Sequence, residues 1–421
     1  MTNQYDVIIS EPSNPWMAGV SGVFSREYYE SCRKRLRPDG LMAQWVQIYE
    51  TSNEALEMVL ATFTAVFPYL SVWQGSIGDL ILIGSTQPQN VDLNELEKRF
   101  AEPKVKADLE RFDLFRLPVF LAREMITQQN ALFIPPPDAP QHSDFYPTLE
   151  YVAQRAFFVG RGADLYLQLD ENYSTRPGTL LARYLQKSSL SEDDFKAFAL
   201  FFMTHRLPEG MLFRSLVSRW EQDFPKSVLP MEFSSRLAER RPVAQLEAIM
   251  MAPFRDQIFK NAEKDPEMLR LYAQFLMQTY RTYRSVFYVP PNVELKAALE
   301  RLIETDRPNQ RVYKLRLAEI AWDHGDDSAC FEFGRTAFSP DTTAFGPIKF
   351  DLDPRAPYRV LTRMIETLWR AGKVPEAWGL CQDAKKNGYI GKKEGFRDPS
   401  LEVVYRRIET FVNQGRASRT M

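Results

Sequence analysis

The chain has 421 residues, of which 44% are hydrophobic and 26% are charged, the composition of a globular protein with two or three domains. A formal net charge of -2 excludes the strong positive charge of many nucleic-acid-binding proteins, so neither nucleic acid nor an anionic membrane is expected as a partner. No stretch approaches the ~18 uninterrupted apolar residues of a membrane span, which predicts a soluble, cytoplasmic chain.

The first predicted element is a strand that ends in a polar loop. Residues 7–10 are mostly β-branched and stand between an acid and a proline-rich loop, a pattern typical of a strand buried on both faces of a parallel sheet. Glu11 follows at the carboxyl end of this strand. Because ligands bind at that end in open α/β sheets, the loop at 11–16 is the predicted position of the chemistry.

The segments after this loop alternate between helix and strand. Ser25 can cap an amphipathic helix over residues 24–37, whose basic last turn is interpreted as a solvated helix end. Pro38-Asp39-Gly40 predicts a turn. The further predicted elements are a strand at 41–49, a helix at 55–67 capped by Ser52 and ended by Pro68, and a hairpin of residues 71–74 and 79–85.

The motif DVIISEPSNPWMAG at residues 6–19 carries a resemblance to a known family. Residues 5–50 resemble the second half of the catalytic domain of the spermidine synthase family, above all the branch fused to a membrane-embedded N-terminal region. The similarity continues, over about residues 5–160, with RPDG at 37–40, Gln44-Trp45, the pair Val72-Trp73 to Gly84, and HSDFYPTLEY at 142–151. The last segment resembles a TDDxPxLEY-like signature, with Phe145 where a second acid is usual.

The resemblance implies the fold class α/β plus all-α, with the C-terminal half of a doubly wound sheet of the S-adenosylmethionine-dependent type. In that sheet, the strand before the catalytic loop pairs with a first strand whose glycine-rich turn and following acid hold the cofactor. Residues 1–4 leave no room for these elements, so an apolar strand at 7–10 would have an unpaired edge. We therefore expect either a truncated product of a longer gene or a half-domain that needs a partner strand.

The implied activity is transfer of an aminopropyl group from decarboxylated S-adenosylmethionine, the co-substrate, to a small-molecule amine. Such an enzyme must remove a proton from the amine and hold its cationic ends, and carboxylates can do both. The resemblance assigns Glu11 as the catalytic residue and Pro12 as a cofactor-binding position. It assigns as substrate-binding residues Ser13, Asn14, Trp16, Trp73 and Asp144. No resident cofactor and no metal site are expected in this chain.

The loop departs from the family pattern, which usually has two Asp residues where this chain has Glu11 and Asn14. Asn14 can hydrogen-bond an ammonium group but does not neutralise it, which argues against ordinary putrescine recognition. The faces of Trp16 and Trp73 could attract a cation by ~0.5 to 2 kcal/mol, and both side chains fit a core position equally well. The pattern around Asp144 fits an approach to the loop and a helix cap equally well.

The rest of the chain is predicted to be helical. Residues 93–131 carry apolar side chains three and four apart, a proline-rich loop follows at 134–140, and from about 180 to 414 every periodic segment is helical. Ser191 begins a capping-box pattern. Segments 315–333 and 361–385 resemble halves of tetratricopeptide-type units, although Gly325 and Gly372 are farther apart than the ~34-residue period. The predicted domains are a partial α/β domain at 1–160 and a helical, tetratricopeptide-like domain at 161–421.

Other catalytic schemes lack their motifs. The histidines are His142, His205 and His324, none has a Cys at ligand spacing, and the sequence holds no GxSxG, HExxH or phosphate-binding glycine loop. Such lone histidines are usually surface or satisfied core residues. The cysteines are too far apart for a disulfide framework or a metal site, which favours a reducing compartment. They are Cys32, Cys330 and Cys381.

Three functions remain open. The favoured one is the C-terminal part of a spermidine-synthase-like aminopropyltransferase, inactive as this chain alone, from a parent protein anchored in the inner membrane. The second is a non-catalytic scaffold with a relic loop, whose helical half binds another protein. The third is a small-molecule methyltransferase of the same fold. A homo-oligomer is compatible with each of them.

Overall fold

The computed structural model describes residues 3–17, 19–76, 78–128, 135, 139–160, 162–163, 178–205, 211–236, 243–285, 287–338, 356–391 and 399–417. The predicted loop at 134–140 therefore lies largely outside the described residues, as does the end of the helical stretch predicted at 93–131. The chain divides into two compact units, Met1–Phe213 and Arg214–Met421. The predicted domain boundary after residue 160 falls inside the first unit and stays a prediction.

A five-stranded sheet forms the centre of the first unit. Its strands are β1 (Tyr5–Ser10), β2 (Leu36–Gln47), β3 (Tyr69–Gln74), β4 (Asp79–Ser85) and β5 (Glu124–Ile126). Their order is β1-β2-β4-β3-β5; β1 and β2 are parallel, and every other pair is antiparallel. The predicted parallel pair and closing hairpin are confirmed. β5 lies in a stretch predicted to be helical, and its three residues are too few to show a strand period.

β1 is an edge strand whose only neighbour among the described residues is β2. Its side chains alternate: Ile8 packs against the core and Ser10 is buried, whereas Val7 is 49% and Ile9 75% exposed. The prediction of a strand buried on both faces is therefore wrong, because no described element covers the outward face of β1. Among the described residues, no strand pairs with the other side of β1, and natural sheets normally cover or pair such an edge.

Helices make up the other regular elements of the first unit. They are α1 (Arg26–Arg35), α2 (Asn53–Val66), α3 (Leu93–Phe100), α4 (Pro103–Glu110), α5 (Leu117–Leu121), α6 (Thr148–Val159), α7 (Leu180–Lys187) and α8 (Glu192–His205), with a 3-10 helix at Val20–Phe24. The side chains of Ser25 and Ser52 cap α1 and α2 as predicted. Ser191 and Asp194 each accept a hydrogen bond from the other's backbone N–H, which confirms the capping box of α8.

The core of the first unit lies between the sheet and the helices α1 and α2. The buried side chains of Met42, Leu70 and Leu82 on the sheet belong to the same cluster as Phe63 of α2. Phe63 approaches β4 so closely that a Cβ on Gly84 would lie 2.3 Å from its ring, so only glycine fits at this position. One face of the sheet is therefore tightly packed.

The predicted turn Pro38-Asp39-Gly40 lies inside β2. The pairing of β1 with β2 shifts between Tyr5 and Val7, where β2 carries extra residues that β1 does not match. The segment is thus a bulge in one long strand, because α1 leads directly into β2 and leaves no separate loop. Arg37 forms an ion pair with Asp6 of β1 beside this bulge.

The described chain from residue 211 onward is helical. The helices are α9 (Met211–Asp223), α10 (Leu229–Arg236), α11 (Val243–Met251), α12 (Arg255–Asn261), α13 (Glu267–Tyr283), α14 (Val293–Thr305), α15 (Gln310–Asp323), α16 (Asp327–Ala337), α17 (Ala356–Arg370), α18 (Val374–Lys386) and α19 (Pro399–Ala417). Gly325 and Gly372, with φ of +73° and +71°, follow the first helices of the pairs α15–α16 and α17–α18. The helical array is confirmed, whereas its tetratricopeptide type stays a prediction.

A buried charge network joins two helices of the second unit. Glu319 of α15 is fully buried and forms ion pairs with Arg281 of α13, with Arg284 directly after that helix and with Arg316 of its own helix. Burial alone would raise the pKa of Glu319, but the three guanidinium groups hold it well below its usual range. Breaking such a buried pair would be costly, so the network fixes α13 against α15.

None of the helices given above has both the length and the apolar character that crossing a bilayer requires.

Candidate active-site loop

The loop at 11–16 leaves the sheet at the carboxyl end of β1, as predicted. Ser10 pairs with Gln44 of β2, so Glu11 leaves the sheet at the level of that residue. The side chain of Glu11 is exposed, and Pro12 behind it is half-buried. A carboxylate open to solvent at this end of an α/β sheet can accept a proton from a bound ligand.

The second half of the loop folds into a turn. Ser13 is exposed and Asn14 is half-buried. The backbone N–H of Met17 donates a hydrogen bond to the carbonyl of Asn14 at 3.0 Å, and the 3-10 helix Val20–Phe24 follows. The backbone of Asn14 is therefore held, which limits where its side-chain amide can reach.

Trp16 forms an aromatic pair with α6 beside the loop. Its ring stacks on Phe157 with the centroids 5.0 Å apart and the planes at 21°. Trp16 also packs against the core of the first unit, while Met17 and Phe158 are exposed. The sequence prediction did not include Phe157 beside the loop, although two consecutive aromatic residues near the end of a helix could have signalled it.

Asp144 lies beside the elements that follow the loop. Its backbone N–H and the hydroxyl of Ser143 donate to the carboxylate of Glu27, at 3.0 and 2.7 Å. These hydrogen bonds, that of Asp144 foremost, lower the pKa of Glu27. The carboxylate of Asp144 is 3.9 Å from the place a Cβ on Gly22 would occupy. The structure thus brings Asp144 to the 3-10 helix, and its role in binding a substrate stays a prediction.

His142 lies behind the same 3-10 helix. It is 1% exposed, and its ring contacts the carbonyl of Ser21 at 2.9 Å. Burial, the largest influence, lowers the pKa of His142. The prediction that the histidine is a satisfied core residue is confirmed. Its position as the first residue of the family-like segment 142–151 was the sequence signal that it lies near the candidate site.

Trp73 lies elsewhere on the sheet. It belongs to β3, which is separated from β1 by β2 and β4, or about 14 Å at ordinary strand spacing. Its ring packs on Phe120 of α5 with the centroids 5.3 Å apart, and its Nε1–H donates to Ser71 at 3.2 Å. The structure therefore brings Trp16 and Asp144 towards the loop region and leaves Trp73 in a separate aromatic cluster.

Among the described residues, no group of three or more histidine, cysteine or acidic side chains is arranged to hold a metal ion. Two acids of this region accept hydrogen bonds from the protein: Glu27, as described above, and Glu150, whose carboxylate lies 3.5 Å from the hydroxyl of Ser21. The exposed carboxylate of Glu11 can accept a proton, and the aromatic face of Trp16 can attract a cation.

Comparison with known proteins identifies the first part of the chain. Residues 1–77, which include β1, the loop and β2, match the family model of the spermine/spermidine synthase domain. The polyamine aminopropyltransferase of Clostridium beijerinckii (strain ATCC 51743 / NCIMB 8052) is 31% identical over 77 residues, which are 18% of this chain and 27% of that protein. No solved structure matches the chain significantly.

The chain thus spans about a quarter of the length of this curated relative. The relation to the membrane-fused branch stays a prediction. Over residues 1–77, the resemblance of this chain to the spermidine synthase family is confirmed.

Proposed function

We propose that the first part of this chain forms one wall of an aminopropyltransferase site, which a further polypeptide segment completes. One observation carries the proposal: the match to the spermine/spermidine synthase domain covers the strand and the loop that present Glu11 at the open edge of the sheet. The relative from Clostridium beijerinckii, named as a polyamine aminopropyltransferase, supports the same reaction class.

The reaction forms one bond and breaks another. The nitrogen of the amine attacks the carbon beside the sulfonium of decarboxylated S-adenosylmethionine, so that an N–C bond forms. The C–S bond breaks with its electron pair on sulfur, which leaves a neutral thioether. The amine nitrogen must lose a proton, and we assign Glu11 to accept it because its carboxylate is exposed at the end of β1.

The residues around Glu11 would recognise the amine. Ser13 and Asn14 offer neutral polar groups, Trp16 offers an aromatic face stacked on Phe157, and Asp144 offers a carboxylate. Because the neutral Asn14 occupies a position where the family usually has a second acid, we propose an acceptor other than an ordinary diamine such as putrescine.

Two assigned residues remain, Pro12 and Trp73. Pro12, which stiffens the loop, would face the co-substrate. The packing of Trp73 against Phe120 supports the alternative assignment of Trp73 to the core.

The open edge of β1 supports the need for a further segment. Its apolar side chains Val7 and Ile9 are exposed, and the described residues contain no strand on that side of β1. A segment that pairs with β1 would also provide the binding groups for decarboxylated S-adenosylmethionine. We therefore expect the chain alone to be inactive and to show no binding of this co-substrate in calorimetry.

A fusion protein tests the proposal by adding the segment that would complete the site. The part of the Clostridium beijerinckii enzyme that precedes the matched region is fused ahead of residue 5, and transfer of a labelled aminopropyl group to a panel of amines is measured. We expect activity in the fusion, and Glu11→Gln should lower kcat about 10²- to 10⁴-fold. Asp39→Asn, an exposed acid in the bulge at the far end of β1, is the matched control and should leave kcat unchanged.

Three results would contradict parts of the proposal. Tight binding of the co-substrate by the chain alone would show that the site is built differently. Unchanged turnover in Glu11→Gln would make Glu11 a structural residue. A folded fusion without aminopropyl transfer would favour the scaffold, or a methyltransferase if it moved a methyl group from S-adenosylmethionine.

The remaining parts of the proposal concern the parent protein, its location and its binding partners. They are kinship with the membrane-fused branch, anchoring of a parent protein in the inner membrane, a protein partner for the helical half, and a homo-oligomer.

A further inference from the structure

The ring of His142 joins the 3-10 helix behind the loop to the start of α6. Its Nε2 lies 2.9 Å from the carbonyl oxygen of Ser21, and its Nδ1 lies 3.4 Å from the backbone nitrogen of Leu149. A carbonyl only accepts a hydrogen bond and a backbone N–H only donates one. The two partners together therefore require a neutral ring with its proton on Nε2.

The backbone of His142 is held by two more elements. Its N–H donates to the hydroxyl of Thr62 in α2 at 2.8 Å, and its carbonyl accepts from the N–H of Arg26 at the start of α1 at 3.0 Å. Thr62 is fully buried and donates its own hydroxyl proton to the carbonyl of Met58 at 2.7 Å. His142 thus connects α1, α2, α6 and the 3-10 helix.

A second proton on the ring would disrupt this junction. Protonated Nδ1 would point its N–H at the N–H of Leu149, so one acceptor would be lost and two donors would oppose each other. The ring, at 1% exposure, offers little access to water that could replace the lost bond. The packing of α6 and the 3-10 helix around His142 therefore requires the neutral ring.

We propose that His142 is a positioning residue for the candidate site, and that its protonation releases residues 141–149, and with them Asp144, from the 3-10 helix behind the loop. That the released segment belongs to a substrate site rests on the function proposed above. The release itself does not depend on that function.

The charged groups that face His142 are acidic. Glu27 of α1, Asp144 of the segment itself and Glu150 of α6 all favour a protonated ring, whereas burial opposes it and has the larger effect, so the pKa of His142 is lowered. The ring of His142 binds a proton more tightly when residues 141–149 are released than when they are packed on the 3-10 helix. The packed form is therefore fully stable above pH ~6.5. As the pH falls below that value, the equilibrium constant between the packed and the released form decreases by up to about tenfold per pH unit.

Hydrogen exchange of the full chain tests the release. Exchange of peptides covering 141–151 is followed by mass spectrometry from pH 5 to 8, corrected with an unstructured reference peptide. We expect protection to fall up to about tenfold per pH unit below pH ~6.5. His142→Gln offers the same acceptor and donor without a titrating ring, so its protection should not change with pH. His205→Gln, which alters the histidine paired with Asp113 at 3.0 Å, should behave like the wild type.

Two results would overturn the proposal: protection in the wild type that is independent of pH, or a pH step that persists in His142→Gln. His142→Leu should lose protection at every pH. If the leucine variant fails to fold, the comparison of glutamine with wild type still decides.

The link to the site is tested in the fused enzyme described above. The KM for the amine should rise at acid pH in the wild type and stay level in His142→Gln, with a pH dependence of kcat common to both. A KM with the same pH dependence in both proteins would refute the positioning role. If the fusion has no activity, the proposed function fails, while the exchange experiment keeps its meaning.

Discussion

The two edge strands of the sheet differ in burial: β5 is covered by other parts of the chain, and β1 is exposed. At the β5 edge, Glu124 is buried and accepts a hydrogen bond at 2.6 Å from the backbone N–H of Leu180, at the start of α7. At the β1 edge, Val7 and Ile9 remain exposed and no described strand follows. Within the part of the chain that the structure describes, one edge of the sheet is thus covered, and the other is apolar and unpaired.

This difference supports the position proposed above for the candidate site. The loop that carries Glu11 leaves the sheet from the open edge, and the match to the spermine/spermidine synthase domain covers that edge and its neighbour strand. At the other edge, all three residues of β5 are buried.

The largest expected effect compares the two faces of the sheet. Leu82→Ala removes a fully buried side chain and should lower the free energy of unfolding by about 2 to 5 kcal/mol, because it leaves a cavity under α2. Ile9→Ala, at 75% exposure on the uncovered face, should cost about 0.5 kcal/mol or less. Urea denaturation of both variants measures the contrast. A large loss in Ile9→Ala would mean that the outward face of β1 is covered after all.

The next effect concerns the closed edge. Burial, its largest influence, raises the pKa of Glu124 to about 7, although the hydrogen bond from Leu180 and the charge of Arg183 act to lower it. Because the folded protein binds this proton more tightly than the unfolded chain, stability should fall as the pH rises from about 4.5 to about 7.

Glu124→Gln keeps an acceptor for Leu180 without the charge. We expect this variant to match the wild type near pH 4 and to exceed its free energy of unfolding by up to about 3 kcal/mol at pH 8. Thermal or urea unfolding at several pH values measures the difference. Glu95→Gln, an exposed acid on α3, should show no such pH-dependent gain, and equal curves for Glu124→Gln and wild type would contradict the prediction.

The smallest effect on stability is expected at the open edge. Ile9→Lys places a charge on the exposed face of β1, which should change the free energy of unfolding by about 0.5 kcal/mol or less. It should reduce concentration-dependent association of the chain, measured by light scattering, because charged edges resist pairing. Phe254→Lys, an exposed apolar position in the second unit, is the control. An equal reduction in that control would show that association does not depend on the open edge.

Local patterns made much of the fold predictable. Ser25, Ser52 and Ser191 each precede a helical period, and all three cap the helices expected from them. The loop with Glu11 could be placed at a strand end because β-branched residues stop at Ser10 and a proline-rich segment follows. In these cases the information lies within a few residues of the element concerned.

What the sequence did not reveal depends on distant contacts. The exposure of Ile9 follows from the position of β1 in the sheet, and β5 is a strand only because it pairs with β3. His142 gains its importance from Ser21 and Leu149, whose positions depend on two different elements. The spacing of residues within one segment does not indicate contacts with distant segments, so only the folded structure shows them.

The bulge at Pro38-Asp39-Gly40 has a practical consequence. Pro38 and Asp39 are exposed beside the start of β1, whereas Glu11 follows its other end, about 20 Å away along an extended strand. A fluorophore attached through a cysteine at position 39 would stand near any polypeptide that docked along β1. It would report that docking by energy transfer to an acceptor dye on that polypeptide, and the end of the strand that carries Glu11 would stay chemically unmodified.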